Sequence, residues 1–209
     1  MIKRILFQGD SITDAQRNRE TPNGYGPDMG SGYVALTAGR LLADYVDRDF
    51  CCINRGISGN RIVDLYARWK IDALNLNPDL ISILIGVNDT WHEIKRKNGV
   101  ELDRYEQIYR MLLQWTKEEL PHVKLVLCEP FCLESEMVNS RWSYEIAQRS
   151  EIVQKLAKEF DATFVPLQQA LSDAARRAGD NLKILRDGVH PALAGAQIIS
   201  DQWLKTVEL

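Results

Sequence analysis

Short apolar runs alternate with amphipathic stretches along this chain. Residues 2–8, 50–54, 80–87, 123–128 and 163–166 form the apolar runs. The run over 80–87 is apolar on both faces apart from Ser82 and Gly86. Near-continuous runs of this kind fit strands of a parallel sheet covered on both sides. Between them the pattern changes to a helical period. Over 33–45, Val34, Ala38, Leu41, Leu42 and Tyr45 share one side. Over 61–69, Ile62, Leu65, Tyr66 and Trp69 recur at i, i+3, i+4 and i+7 spacing. Asp103 reads as the cap of a helix that Pro121 stops after Leu120, with Tyr105, Ile108, Tyr109 and Leu112 on its buried stripe. Further helices are expected over 143–160, 169–178 and 192–205, the last with Pro191 near its first turn. No repeat or low-complexity linker divides the chain. Strand and helix alternate in the manner of βαβ units, which predicts a three-layer α/β fold with a five-stranded parallel sheet, as one domain over 1–209.

Composition narrows the function classes. The chain has 209 residues, 45% of them hydrophobic, with 26 Lys+Arg against 29 Asp+Glu and a formal net charge of −3. That length supports a core without disulfide or metal staples. Mild acidity argues against a nucleic-acid partner, which calls for a basic patch. No run approaches the ~20 apolar residues of a membrane span. The apolar start meets Asp10 too early for a signal-peptide core, so a cytoplasmic location is expected. Cys51, Cys52, Cys128 and Cys132 form no CxxC pair and have no finger-spaced histidine. Reduced thiols are expected, with no metal and no cofactor.

In parallel α/β sheets, ligands sit beyond the carboxyl ends of the strands. The residues that follow strands are therefore the informative ones. They read Gly9-Asp10-Ser11, then Gly56-Ile57-Ser58-Gly59-Asn60, then Gly86-Val87-Asn88-Asp89. Asp187-Gly188-Val189-His190 precedes the last helix and can reach the same rim. Taken singly, each block is ordinary turn, cap or loop chemistry. Together they bring a serine, a glycine, an asparagine and an Asp/His pair to one edge. Serine is a poor nucleophile until a base takes its proton, which His190 can do. Asp187 can fix the histidine's tautomer and stabilise the imidazolium. The Ser11 and Gly59 backbone N–H groups and the Asn88 side chain can stabilise a developing oxyanion. The other histidines fit less well. His122 precedes a strand and belongs to the opposite rim; His92, in Asp89-Thr90-Trp91-His92-Glu93, lacks a partner at short spacing on its other side and reads as a pocket wall rather than the base. Ser58 misses the G-x-S-x-G elbow by one position. No phosphate loop or G-x-G-x-x-G follows any strand.

These four blocks, in this order, resemble those of the SGNH, or GDSL-type, esterases and lipases. The resemblance covers nearly the whole chain. It implies a flavodoxin-like sheet and metal-free acyl hydrolysis. It also implies Ser11 as nucleophile, His190 as base and Asp187 as its partner. Ser11, Gly59 and Asn88 would form the oxyanion hole. Asp10 carries over as the residue that shapes the nucleophile loop and is counted with the substrate-binding residues. The stretches Gly9–Asp14, 32–35, 56–60 and 85–91 look like the intracellular bacterial acetylxylan esterases of that group. That implies acetylated xylo-oligosaccharides as substrate and a homo-oligomer as the assembly. The polar loop over 14–31, with Arg17, Arg19, Tyr25 and Met29, suits a hydroxyl-rich substrate. Trp91 is expected at the substrate, against a sugar face or the acetyl group, or else in core or subunit packing. The rival readings are a lysophospholipase or acyl-thioesterase of the same fold, and a non-catalytic carbohydrate-binding protein.

Overall fold

The five apolar runs become five strands, β1 (Arg4–Gly9), β2 (Cys51–Asn54), β3 (Leu80–Leu84), β4 (Lys124–Cys128) and β5 (Thr163–Val165). The computed structural model describes residues 2–20 and 27–209; Tyr25 lies outside them. All strand pairs are parallel, in the order β2-β1-β3-β4-β5. This is the flavodoxin-like order, whose topological switch point lies between β1 and β3. Every residue of β3 is buried, as its unbroken apolar run requires.

Side chains alternate across the sheet, so it separates two cores. Ile5, Phe7, Leu80 and Leu84 face one; Leu6, Ile81 and Ile83 face the other. Helices α2 (Tyr33–Asp44), α7 (Gln168–Ala178) and α8 (Leu193–Thr206) cover the first face with Tyr33, Leu41, Leu171, Ile199 and Trp203. Helices α3 (Ile62–Asp72) and α5 (Leu102–Glu119) cover the second with Leu65, Trp69, Tyr105 and Leu112. The long α6 (Ser140–Glu159) serves both, giving Trp142 and Ile146 to the first core and Val153 and Leu156 to the second. Two of the buried tryptophans have their ring N–H groups paired, as burial demands. Trp203 Nε1 donates to Ser82 Oγ at 2.9 Å, which accounts for the serine inside the β3 run. Trp69 Nε1 donates to Thr116 Oγ1 at 2.8 Å.

Several boundaries differ from expectation. β3 stops at Leu84 instead of running to residue 87. Gly86 then adopts φ +133°, a conformation that side chains resist, and turns the chain into α4 (Val87–Arg96). The sequence reading had placed turn chemistry there. The apolar spacing of Val87, Trp91 and Ile94 was the available helical signal. Glu101, not Asp103, occupies the N-cap of α5. α6 begins at Ser140 rather than 143, because the Asn139 side chain accepts from the Arg141 and Trp142 N–H groups. A single helical turn, α1 (Ser11–Asp14), follows β1 directly. Among the described residues, no helix is long and apolar enough to cross a membrane. The cysteines are free, with Cys51 exposed and the others buried. Burial pushes the Cys52 and Cys128 thiols up to about 12, so they stay protonated at neutral pH.

Candidate active site

Ser11 occupies the first position of α1, just past the end of β1. The turn is held by Asp10, whose Oδ1 accepts the Ile12 N–H at 2.9 Å. Ala15 and Gln16 both adopt left-handed backbone, φ 42° and 61°, and end the turn abruptly. Ser11 Oγ therefore faces a cavity of about 380 Å³ instead of continuing along a helix.

The opposite wall comes from the loop before α8. Gly188 has φ +91°, and a Cβ there would strike Leu133 O and Ser135 Oγ. This bend folds the Asp187 carboxylate back over its own loop. Its Oδ1 accepts the Val189 N–H at 2.9 Å and the His190 N–H at 2.7 Å. Its Oδ2 lies 2.7 Å from His190 Nδ1. Burial opposes the charge on Asp187, but these hydrogen bonds outweigh it and hold the carboxyl below its ordinary range. An ionised acceptor at Nδ1 places the ring proton there, so Nε2 presents its lone pair. Ser11 Oγ sits 2.8 Å from that Nε2. Outside this loop, the Arg186 N–H donates to His190 O at 2.8 Å, and Leu185 bridges Pro191.

The Gly59 loop is fixed by Asn54 and Asp14, to which the sequence reading gave no role, and by Arg17, which it had placed in the polar loop over the site. Asn54, the last residue of β2, accepts the Gly56 N–H at 2.9 Å and donates to Thr13 O at 2.7 Å. Asp14 Oδ2 accepts both the N–H and the hydroxyl of Ser58 at 2.9 Å. Arg17 Nε donates to Gly56 O at 2.9 Å. An Asn closing a strand and an Asp three residues after the serine were the signals available. Gly59 itself has φ +85° with open space around it. Among the described residues, neither the Gly59 nor the Ser11 N–H has an acceptor. Asn88 Nδ2 donates one hydrogen to Asn60 O at 3.2 Å, which ties α4 to this loop and leaves the other hydrogen free.

The remaining expected residues fall elsewhere. Asp10 is 1% exposed and lies beneath the cavity, so it shapes the turn and does not meet a substrate. Asp89, also fully buried, accepts the Ile62 N–H at 3.1 Å. The Oδ2 atoms of both Asp10 and Asp89 have no partner in the structure. Burial pushes both carboxyls up to about 7, and the charge of Asp89 adds to the effect on Asp10. Trp91 does not line the cavity. Its ring packs edge-on at 5.7 Å from His190 and 5.3 Å from Trp142, so it walls the imidazole. His122 lies with Asn77 and Asp79 at the opposite rim of the sheet. Ser58 Oγ is committed to Asp14. Among the described residues, no group of three or more His, Cys, Asp or Glu side chains is placed to hold a metal.

Comparisons with known proteins bear on this arrangement. The family model of the GDSL-like lipases/acylhydrolases matches residues 7–198. An acetylxylan esterase from Geobacillus stearothermophilus is 36% identical, over 98% of this chain and 94% of that protein. Its solved structure superimposes with TM-score 0.89 at 33% identity, covering 99% of this chain and 94% of that one. Catalytic mutants of that enzyme replace a serine, an aspartate or a histidine by alanine. Its serine and histidine are 179 residues apart, the separation between Ser11 and His190 here. A further mutant replaces the tryptophan immediately before that aspartate. A structure from Parabacteroides merdae, described as a GDSL-like lipase, superimposes with TM-score 0.93 at 40% identity over 98% of this chain and 94% of that one. With a family model spanning most of the chain, a shared five-stranded sheet and near-complete coverage of these relatives, the chain belongs to the GDSL-like lipase/acylhydrolase family and is a carboxylic ester hydrolase.

Proposed function

We infer that the chain is a serine esterase that removes acetyl groups from carbohydrates of the acetylated xylo-oligosaccharide class. The observation that carries the reading is the unbroken chain Ser11 Oγ–His190 Nε2–Nδ1–Asp187 Oδ2, with links of 2.8 and 2.7 Å, at the wall of a cavity. His190 takes the Ser11 proton as Oγ attacks the acetyl carbonyl. Charge collects on the carbonyl oxygen. The free N–H groups of Ser11 and Gly59 and the free hydrogen on Asn88 Nδ2 are its donors. Asp187 stays ionised and stabilises the imidazolium. His190 then protonates the departing sugar oxygen, leaving acetyl-Ser11, and next activates a water that releases acetate. The neutral polar side chains of Gln16, Ser31 and Ser58 along the cavity suit a hydroxylated leaving group. The serine, aspartate and histidine of the similar acetylxylan esterase, at matching separations, support the same assignment.

Acetate release across acetylated xylo-oligosaccharides, acyl-CoAs and lysolipids tests the substrate class. Acetylated oligosaccharides are expected to lead; faster turnover of lysolipids or long-chain thioesters refutes the reading. Ser11→Ala is expected to fold normally and to lose acetyl ester turnover. It should also lose covalent labelling by a fluorophosphonate. Near-parental activity in that variant removes Ser11 from the mechanism.

A further inference from the structure

The cavity beside Ser11 is lined by neutral and apolar side chains with one exception. Among the described lining residues, Arg186 alone carries a fixed charge. Its sign opposes the net charge of −3 on the chain as a whole. Of the other arginines around the site, Arg17 holds Gly56 O, Arg19 pairs with Asp14 at 2.8 Å, and Arg68 pairs with Asp72 at 3.1 Å, while Arg55, whose Nε is buried without a partner, does not line the cavity. Arg186 differs. Its backbone is fixed by the N–H bond to His190 O, yet its guanidinium has no hydrogen bond or ion pair among the described residues. It is exposed to solvent at the cavity wall, one residue before Asp187. The similar Geobacillus esterase has a tryptophan before its aspartate, so the cation distinguishes this chain from that relative.

A rigidly based, unpaired guanidinium offers a planar fork of donors that matches a carboxylate. The acetyl group has no charge to meet it, so the complementary group must lie on the sugar. We propose that Arg186 selects acetylated oligosaccharides that carry a carboxylate, the uronic-acid class, over neutral ones. This rests on the acetyl-sugar reading above and names a narrower substrate class within it. Because the pair forms in solvent, the preference is modest, about two- to fivefold in kcat/KM.

The test compares two compounds that differ only in charge. One is an acetylated xylo-oligosaccharide with a glucuronic acid branch; the other has that carboxylate converted to its amide. Acetate release is measured for the parent protein and for Arg186→Lys, Arg186→Gln and Arg186→Glu. The parent is expected to favour the carboxylate through a lower KM, with kcat little changed, and to lose the preference at high salt. The lysine variant should keep part of it. The glutamine variant should bring the ratio to about one, and the glutamate variant below one. A structural role for Arg186 would move both compounds together and leave the ratio unchanged. A parental ratio near one, or the same ratio in the glutamine variant, overturns the proposal while leaving the esterase reading intact. Release of acetate from neither compound overturns the acetyl-sugar reading and this proposal with it.

Discussion

Asp89→Asn offers a direct measurement of what the buried carboxyls beneath the site cost the fold. Asp89 is fully buried, its Oδ1 accepts the Ile62 N–H, and its Oδ2 has no partner. Burial pushes its carboxyl from the ordinary 3.8 to about 7. Below pH ~4 the group is protonated whether the chain is folded or not, and it costs little. As pH rises toward 7, the unfolded chain ionises freely while the folded one does not, so stability drains away. Above both values the deficit reaches ~4 kcal/mol. An asparagine keeps an oxygen for the Ile62 N–H and never ionises. The value of about 7 already includes the attraction of the buried Arg149, which lowers it; the offset comes from the new amide, whose NH₂ is left without a partner where Oδ2 had none. The expected stabilisation is therefore ~2–4 kcal/mol at pH 8, shrinking to ~0.5 kcal/mol or less at pH 4. Urea unfolding of parent and variant across this range reads the gap directly. A gap that is absent, or constant from pH 4 to 8, refutes the reasoning, because the parent's carboxyl would then ionise alike in both states.

Two further substitutions bear on the chemistry. Asp187→Asn can still accept the Val189 and His190 N–H groups, but it turns an NH₂ toward Nδ1. The ring proton then moves to Nε2 and faces Ser11. A fall of about 10⁴ in kcat is expected with a near-parental melting temperature, and retention of a tenth of the activity would contradict it. Asn88→Ala should lower kcat by ~10²–10³ and change KM little in steady-state acetate release. A loss confined to KM would make Asn88 a binding contact instead of an oxyanion donor.

Much of the fold was legible because burial on both faces leaves a direct trace in sequence. A strand such as β3, covered by helices on each side, can carry few polar residues, and Ser82 escapes the rule only because Trp203 supplies its partner. Helix α4 was obscured for the opposite reason. Asn88, Asp89 and Thr90 are polar and buried together, and polarity in sequence reads as exposure. The candidate site was legible in its four blocks, since topology gathers strand ends at one rim. Its framing was not. Asn54, Asp14 and Arg17 hold the Gly59 loop through hydrogen bonds between segments distant in the chain, and spacing carries no record of those. The alternation of strands and helices left the strand order open, because it fits more than one arrangement of a doubly wound sheet; only the family resemblance implied the flavodoxin-like order that the sheet has.

The separation of 179 residues between Ser11 and His190 sets when activity can arise during synthesis. Ser11 stands at the first strand and His190 at the start of the last helix, α8. Contact between them requires α8 to dock on α2, where Thr37 Oγ1 meets Ser200 Oγ at 3.0 Å inside the core. Chains fold from the N-terminus as they emerge from the ribosome. A nascent chain can therefore complete most of its sheet and still be inert toward esters. Docking of the final helix then completes the core on that face and arms the serine in a single step, so a premature stop anywhere before α8 yields no partly active esterase.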